Sequence, residues 1–243
     1  MRLLVCALAI FLLTAPVFAG WMDIACVGDS ITYGYGVAKG WDYPSQLQRM
    51  IATKGVDVYN FGVNGATLLR NGDRPYVNQP AYKKALGTSS VSEVIIMLGA
   101  NDTKSWNWGP HHNDFEADYR WLIGQFQAGS PQPRIWLCRP CWVSGTNKFG
   151  ITEAGIELEI PIIDAIAQDL HLKEIDLHAV LEGHPEYYKD TVHPTADGDT
   201  LLAKAVYKAV MGQEYQGKVP PPAPASTQSP TPWRYFATPG TGL

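Results

Sequence analysis

Short apolar runs alternate along this chain with longer stretches in which apolar residues recur at helical spacing. Short apolar runs bounded by turn residues are typical of buried strands, and the periodic stretches are typical of amphipathic helices. The predicted strands are Ile24 to Val27, Val56 to Tyr59, Val91 to Leu98, Ile135 to Leu137 and Glu174 to Leu177. The predicted helices are Pro44 to Lys54, Phe115 to Gln127, Thr152 to Leu170 and Thr195 to Met211.

Alternation of strands and helices favours a parallel sheet that helices cover on both faces. The sequence therefore predicts a doubly wound α/β fold. Pro161 falls inside the third predicted helix. A proline has no amide N–H to donate, so this helix either begins near Pro161 or is kinked there.

The two ends of the chain differ in composition from its middle. The first residues, "MRLLVCALAIFLLTAPVFAG", place one Arg before an apolar segment too short to span a bilayer and end in a small-x-small pattern. We expect a signal peptide over residues 1–19, with export and cleavage after Ala19; an uncleaved anchor is the alternative. From Lys218 onward, "KVPPPAPASTQSPTP" is too rich in Pro, Ser and Thr to form a core.

Composition supports one globular domain between these ends. The chain has 243 residues, of which 46% are hydrophobic and 17% charged, enough for a full core. We expect this domain to cover residues 20–217, and residues 218–243 to be a linker toward a further module or a disordered tail. The net charge of −4 and the lack of a run of Lys or Arg argue against a nucleic-acid partner.

Cysteine and histidine spacing does not support a metal site. Cleavage after Ala19 removes Cys6 and leaves Cys26 and the pair in "CRPC", Cys138 and Cys141. That pair has the spacing of a redox motif or of half a zinc site, but no second pair completes a tetrahedral set. A local disulfide and two inert thiols both remain open. The adjacent His111 and His112 lack a third ligand at matching spacing and are predicted to be a surface pair.

Four polar motifs lie where a parallel sheet would bring them together. Ser30 follows the first strand in "GDS", Gly65 follows the second in "NFGVNGATL", and Asn101 follows the third in "LGAND". Asp190 and His193 precede the last helix in "DTVHPTADG". Each motif alone fits a turn or a helix cap. The carboxyl ends of parallel strands open into one crevice, however, so we expect these motifs to meet there.

Together the four motifs supply the parts of an acyl-transfer site. A serine hydroxyl needs a base to become a nucleophile: His193 can take the proton of Ser30, and Asp190 can fix the imidazole tautomer. The negatively charged oxygen of the tetrahedral intermediate needs hydrogen-bond donors. The amides of Ser30 and Gly65 and the side-chain amide of Asn101 can provide them.

The motifs "GDSIT", "NGAT", "GAND" and "DTVH", in this order, resemble those of the SGNH or GDSL family of hydrolases over residues 23–211. The resemblance implies a three-layer α/β/α flavodoxin-like fold with a five-stranded parallel sheet, and ester hydrolysis without a metal or other cofactor. It also implies the roles given above for Ser30, His193, Asp190, Gly65 and Asn101. Two departures are Ile in place of the commoner Leu after the serine, and Ala before the asparagine; neither is expected to disturb the site.

Three further segments resemble a narrower branch, the secreted carbohydrate esterases that include acetylxylan and sialate O-acetylesterases. These segments are "RNGDRPYVNQPAYKK", "DTKSWNWGPHHNDFEADYR" and "HPEYYKDTVHP". Trp106 and Trp108, predicted to lie on a loop beyond Asn101, can stack on sugar rings or belong to the core. Arg74, with Arg70 and Asp73, can bond sugar hydroxyls or a carboxylate, or belong to a solvated loop.

The leading hypothesis is a secreted serine esterase that removes O-acetyl groups from a saccharide such as acetylated xylan, another plant polysaccharide or sialic acid. A lysophospholipase or broad short-chain carboxylesterase of the same family is the first alternative, although no long apolar lid separates the motifs. A non-catalytic carbohydrate-binding module and a metal-dependent hydrolase are the others. No membrane span is expected in the mature chain.

Overall fold

Strands and helices alternate along the chain in the computed structural model, which describes residues 23–51, 55–129 and 132–223. The strands are β1 Asp23–Gly28, β2 Val58–Gly62, β3 Val91–Met97, β4 Arg134–Arg139 and β5 Lys173–Asp176. The helices are α1 Ser30–Tyr33, α2 Tyr43–Ile51, α3 Pro80–Gly87, α4 Ser105–His111, α5 Phe115–Gln127, α6 Glu153–Asp169, α7 Leu177–Leu181 and α8 Ala196–Met211. Short 3₁₀ turns lie at Tyr76–Asn78, His112–Asp114 and Pro185–Tyr187.

The five strands form one parallel sheet in the order β2-β1-β3-β4-β5. This is the strand order of flavodoxin-like folds, so the predicted α/β fold with a five-stranded parallel sheet is confirmed. β2 begins and ends later than the sequence predicts. Its pairing with β1 runs from Ile24 and Val58 to Gly28 and Gly62, and this pairing rather than the apolar run sets its limits.

The sheet separates two apolar cores. Along β1, Ala25 and Val27 face a core that contains residues of α3, α5 and α6. Ile24 and Cys26 face a second core that contains residues of α2, α7 and α8. Every residue of β1 is buried. A strand covered on both faces reads as a continuous apolar run, and each fully buried Ile or Val contributes about 1.5–3 kcal/mol through the hydrophobic effect.

Side-chain caps set the starts of the two long helices that flank the site. Thr152 accepts a hydrogen bond from the amide of Gly155 at the start of α6, and Thr195 does the same for Gly198 at the start of α8. The sequence prediction therefore began each helix one residue early, because it counted the capping threonine as the first helical residue. α6 runs unbroken through Pro161, so the alternative in which it begins there is wrong. Pro161 is exposed, and water can bond the carbonyl that it leaves unpaired.

The two "CRPC" cysteines are free and buried, so the local disulfide is not formed. Cys138 belongs to β4, and the thiol of Cys141 contacts the sulfur of Met97 at 3.9 Å. Burial raises the pKa of both thiols well above the ordinary value, which disfavours the reactive thiolate. The structure therefore shows the inert-thiol alternative.

The predicted signal peptide, residues 1–19, lies outside the described residues, as do residues 224–243 of the predicted tail. The tail begins against α2, where the carbonyl of Pro220 accepts a hydrogen bond from the Arg49 guanidinium at 2.6 Å. Over residues 23–51, 55–129 and 132–223, no helix combines the length and the apolar character needed to cross a membrane.

Candidate active site

A tight turn at the carboxyl end of β1 presents Ser30. β1 ends at Gly28, where a Cβ would stand 2.7 Å from the carbonyl oxygen of Met97, so a larger residue does not fit. Asp29 then caps α1, because its carboxylate accepts a hydrogen bond from the Ile31 amide at 2.9 Å. Ser30 is the first residue of that helix. These contacts fix both the hydroxyl and the amide of Ser30 at the edge of the sheet.

Ser30 and His193 meet although 163 residues separate them in the chain. The Oγ of Ser30 lies 2.9 Å from Nε2 of His193, and both residues are almost completely buried. The turn before α8 carries His193 to the carboxyl end of β1. This distance lies within the range that proton transfer between a nucleophile and its base requires.

Asp190 holds the other side of the imidazole. Its Oδ2 lies 2.9 Å from Nδ1 of His193, and its Oδ1 accepts the backbone amide of His193 at 2.8 Å. Thr191 adopts a left-handed conformation with φ of 67°, which tightens the turn enough for both contacts. Partial burial raises the pKa of Asp190, but the hydrogen bonds from His193 outweigh it and hold the pKa below the ordinary value. Asp190 is therefore ionised at neutral pH.

The three candidate oxyanion donors follow the strands β1, β2 and β3. The Ser30 amide lies at the start of α1, whereas Gly65 and Asn101 lie in loops. Gly65 has φ of +73°, a left-handed conformation that favours glycine. Among the described residues, the Ser30 and Gly65 amides have no hydrogen-bond acceptor. The Asn101 amide gives one hydrogen to Asp29 at 3.3 Å and keeps the second.

Two buried carboxylates support these donors. Asp29 orients Asn101, and burial raises the pKa of Asp29 to about 6 against the opposing hydrogen bond from Ile31. Asp102 accepts the amides of Leu68 and Leu69 at 2.9 and 2.7 Å. This contact ties the loop that carries Gly65 to the loop that follows β3. Burial also raises the pKa of Asp102, to about 7.

A polar brace formed by Asp73 and Asn107 joins the loop after β3 to the rim of the site. The side-chain amide of Asn107 donates to the Asn101 carbonyl at 2.9 Å and to Asp73 at 3.0 Å. Asp73 also accepts the indole N–H of Trp106 at 3.0 Å. Partial burial raises the pKa of Asp73, but these hydrogen bonds and the charge of Lys104 outweigh it and lower the pKa.

The predicted substrate contacts have different surroundings. Trp106 and Trp108 lie on the helix α4 rather than on a loop, which corrects the prediction. Trp106 is 55% exposed, whereas Trp108 packs edge to face on Phe115 with ring centroids 5.5 Å apart, against the core. Arg74 is exposed, and its Cδ lies 3.7 Å from the position that a Cβ of residue 65 would take. Trp106 and Arg74 thus border the loops that carry the amide donors.

His111 and His112 end α4 and begin the 3₁₀ turn that follows. Within the described ranges, no three His, Cys, Asp or Glu side chains are grouped to hold a metal ion. His112 Nδ1 instead lies 3.1 Å from the carbonyl of Trp108.

Sequence reasoning missed Asp102, Asn107, Tyr35 and Phe149. Asp102 and Asn107 act through contacts with residues 34 positions earlier in the chain. Tyr35 and Phe149 have ring centroids 4.4 and 5.0 Å from that of His193. The one local signal was the pair of glycines around Tyr35, which marks a turn immediately after the serine motif.

Comparison with protein families agrees with this geometry. The model of the GDSL-like lipase/acylhydrolase family matches residues 26–201. The chain belongs to this family. The match begins within β1, the strand that leads to Ser30.

Relatives of this GDSL-like chain include an acetylxylan esterase from Xylanibacter ruminicola, 34% identical over 209 residues. The alignment covers 77% of this chain but 42% of that protein, so the chain spans less than half of its relative. A carbohydrate acetylesterase from Sinorhizobium meliloti has the same fold, with a TM-score of 0.65 at 19% identity over 79% of this chain and 99% of that one. The inhibitor-bound aryl esterase of M. smegmatis gives a TM-score of 0.66 at 17% identity, with the same coverages.

Proposed function

We propose that this chain is a serine esterase that removes O-acetyl groups from a saccharide through an acetyl-Ser30 intermediate. The observation that carries the proposal is the chain of contacts from Ser30 through His193 to Asp190, with 2.9 Å at each side-chain step. The 34% identity to an acetylxylan esterase supports an acetylated saccharide as the substrate.

Acylation begins when Ser30 attacks the acetyl carbonyl. His193 Nε2 takes the hydroxyl proton as the Oγ–C bond forms, and Asp190 stabilises the resulting imidazolium. The tetrahedral intermediate collapses when its bond to the sugar oxygen breaks. His193 gives the proton to that oxygen, so the sugar leaves as a neutral alcohol and the acetyl group stays on Ser30.

The oxyanion of this intermediate is stabilised by three donors. The amides of Ser30 and Gly65 are free of acceptors among the described residues, and Asn101 keeps one side-chain hydrogen. Donors fixed in advance require no reorganisation during the reaction, which is why each is worth about a hundred- to a thousandfold in turnover. The contact between Asp29 and Asn101 orients the third donor.

Deacylation repeats the same steps with water in place of the sugar. His193 takes a proton from water, which attacks the acetyl carbonyl and forms a second tetrahedral intermediate. The bond to Ser30 Oγ then breaks, and His193 returns the proton to that oxygen. Acetate leaves and the free serine is restored.

Trp106 and Arg74 are the proposed saccharide contacts at the rim. Trp106 is exposed, yet its indole N–H is held by Asp73, so the ring presents a fixed flat surface. A surface that is already ordered loses little entropy when it binds. Arg74 places donors beside Gly65 that can bond sugar hydroxyls or a carboxylate. Trp108, which packs against the core, remains the weaker of the predicted contacts.

The proposal includes secretion and a modular tail. Residues 1–19 have the pattern of a signal peptide, and an extended Pro-rich segment from Lys218 is typical of linkers in exported enzymes. A linker to a second module would raise the local concentration of a polymeric substrate.

Acetate release from acetylated xylan tests the proposed activity. We expect the purified chain to release acetate, and Ser30→Ala to abolish the release while the protein stays folded. Among p-nitrophenyl esters we expect the maximum at acetate. A maximum at octanoate or longer would support the lysophospholipase alternative, and saccharide binding without turnover would support a binding module.

A further inference from the structure

Two aromatic rings that the proposed mechanism does not use contact the imidazole of His193. The ring centroid of Tyr35 is 4.4 Å from that of His193, with a tilt of 45°. Phe149 approaches edge to face at 5.0 Å, and the two aromatic rings are themselves 6.4 Å apart. We call Tyr35 and Phe149 the aromatic cradle.

The cradle keeps apolar surface open beside the reacting atoms. Tyr35 is 42% exposed, which leaves a large aromatic side chain in contact with water. Phe149 is half-buried and packs against a small apolar cluster that includes Ile151 and Val192. Exposed aromatic surface next to a reactive group is typical of a site that a ligand covers.

Hydrogen bonds hold Tyr35 in place relative to Ser30. The amide of Tyr35 donates to the Ser30 carbonyl at 2.9 Å. The next residue, Gly36, accepts a hydrogen bond from the ammonium group of Lys189, one residue before Asp190. The turn that carries Tyr35 is therefore bonded to both sides of the catalytic machinery.

The loop that carries Phe149 is bonded to the same machinery. Asn147 accepts the amide of Phe149 at 3.1 Å and so closes the loop locally. The Ser144 amide donates to the carbonyl of Thr191 at 2.9 Å, and the Thr191 hydroxyl donates to the carbonyl of Gly145 at 3.2 Å. Because Thr191 lies between Asp190 and His193, the position of Phe149 follows that of the imidazole.

The chemistry indicates which part of an ester lies at the cradle. When the ester bond breaks, the proton on His193 Nε2 passes to the oxygen of the departing alcohol. That oxygen must then lie within about 2.6–3.2 Å of Nε2. The alcohol therefore occupies the imidazole side of Ser30, which Tyr35 and Phe149 border.

We propose that Tyr35 and Phe149 form the subsite for the departing alcohol and select ring-shaped alcohols by contact with the apolar C–H face of a sugar ring. This inference rests on the proposed function, since it assigns the alcohol side of the same reaction. During deacylation water replaces the alcohol, so the cradle contributes to acylation alone. The cradle therefore sets kcat/KM for esters of ring-shaped alcohols.

Acetyl esters of three alcohols test this subsite in the full chain. The substrates are an acetylated xylo-oligosaccharide, cyclohexyl acetate and ethyl acetate, and acetate release gives kcat/KM for each. In Tyr35→Ala and Phe149→Leu we expect kcat/KM for both ring alcohols to fall relative to ethyl acetate by about threefold to tenfold, the range of one aromatic contact. Tyr35→Phe keeps the ring and should stay within about twofold.

A matched control is Tyr215→Ala, which removes a partly exposed tyrosine beyond the far end of α8. Its selectivity ratio should equal that of the unsubstituted chain. An equal loss on all three esters in Tyr35→Ala and Phe149→Leu would overturn the subsite, because it would show that the rings only position the imidazole. If the unsubstituted chain released no acetate from the xylo-oligosaccharide, but its preference for cyclohexyl acetate over ethyl acetate fell in the variants, the cradle would be supported and the saccharide substrate refuted.

Discussion

Asp190→Asn replaces one carboxylate oxygen of Asp190, at the end of the proposed chain from Ser30 through His193, by an NH₂ group. The hydrogen bonds of Asp190 determine which oxygen is replaced. Oδ1 of Asp190 accepts the amides of His193 and Val192, at 2.8 and 3.3 Å. In the variant the amide oxygen must keep that place, because an NH₂ group cannot accept these two donors. The NH₂ group then takes the place of Oδ2, 2.9 Å from Nδ1 of His193, while the retained oxygen lies 3.0 Å from the same nitrogen.

An NH₂ group at that place can donate to Nδ1 and favours the imidazole tautomer whose proton is on Nε2, in competition with the retained oxygen, which can still accept Nδ1–H. In the tautomer protonated on Nε2 that proton faces Ser30, and the imidazole cannot act as base. Loss of the carboxylate charge adds to the effect: at about 4 Å, two charges interact by about 1 kcal/mol in water and about 4 kcal/mol near a protein surface. The charge alone then accounts for about fivefold to a thousandfold in rate. With the tautomer change we expect kcat/KM to fall by about a hundred- to ten-thousandfold.

The assay is steady-state acetate release, with thermal unfolding to show that the variant is folded. Asp197→Asn is the matched control, since Asp197 is an exposed carboxylate in the first turn of α8. It should remain within about twofold of the unsubstituted chain. If folded Asp190→Asn retained more than a third of kcat/KM, Asp190 would not orient or charge-stabilise His193, and the proposed relay would be wrong.

Two further predictions follow from the groups around the oxyanion. Asn101→Ala should lower kcat by about a hundred- to a thousandfold with little change in KM, because the donor acts on the intermediate. The measurement is steady-state kinetics, and a raised KM with unchanged kcat would contradict this role. For Asp102, the folded pKa of about 7 lies above the unfolded value of about 3.9, so its stabilising contribution is full below pH ~4 and is lost as pH rises through about 7. Calorimetry should therefore show that Tm falls from pH 5 to pH 8, and that it falls less in Asp102→Asn than in the unsubstituted chain. An equal fall in both proteins would show that a group other than Asp102 titrates.

Local sequence patterns were sufficient for the five strands and for the helices α2, α5, α6 and α8, but not for the shorter helices. The interior strand β1 is buried on both faces, so Ile24 to Val27 appear in the sequence as an uninterrupted apolar run. Thr152 and Thr195 act through hydrogen bonds to residues three positions later, so the helix starts could be predicted. Pro161 was ambiguous because a proline exposed to water interrupts one hydrogen bond without ending the helix.

Only the part of the site that lies in motifs at strand ends could be predicted from the sequence. The topology brings these ends together, which is why Ser30 and His193 could be placed at one crevice. Asp102 and Asn107 could not be assigned roles, since their partners lie in another loop and their residue types also suit turns. The helix around Trp106 was missed because it is short and contains Gly109 and Pro110, which are poor helix formers.

The central claim, that Ser30 is the nucleophile, is tested most directly by covalent trapping. A p-nitrophenyl phosphonate ester reacts with an activated serine and leaves a stable adduct that resembles the tetrahedral intermediate. We expect peptide mass spectrometry to find one adduct per chain, on Ser30, with activity lost in proportion to labelling and no adduct in Ser30→Ala. Full esterase activity in completely labelled protein, or an adduct on another residue that accounts for the loss, would contradict the claim.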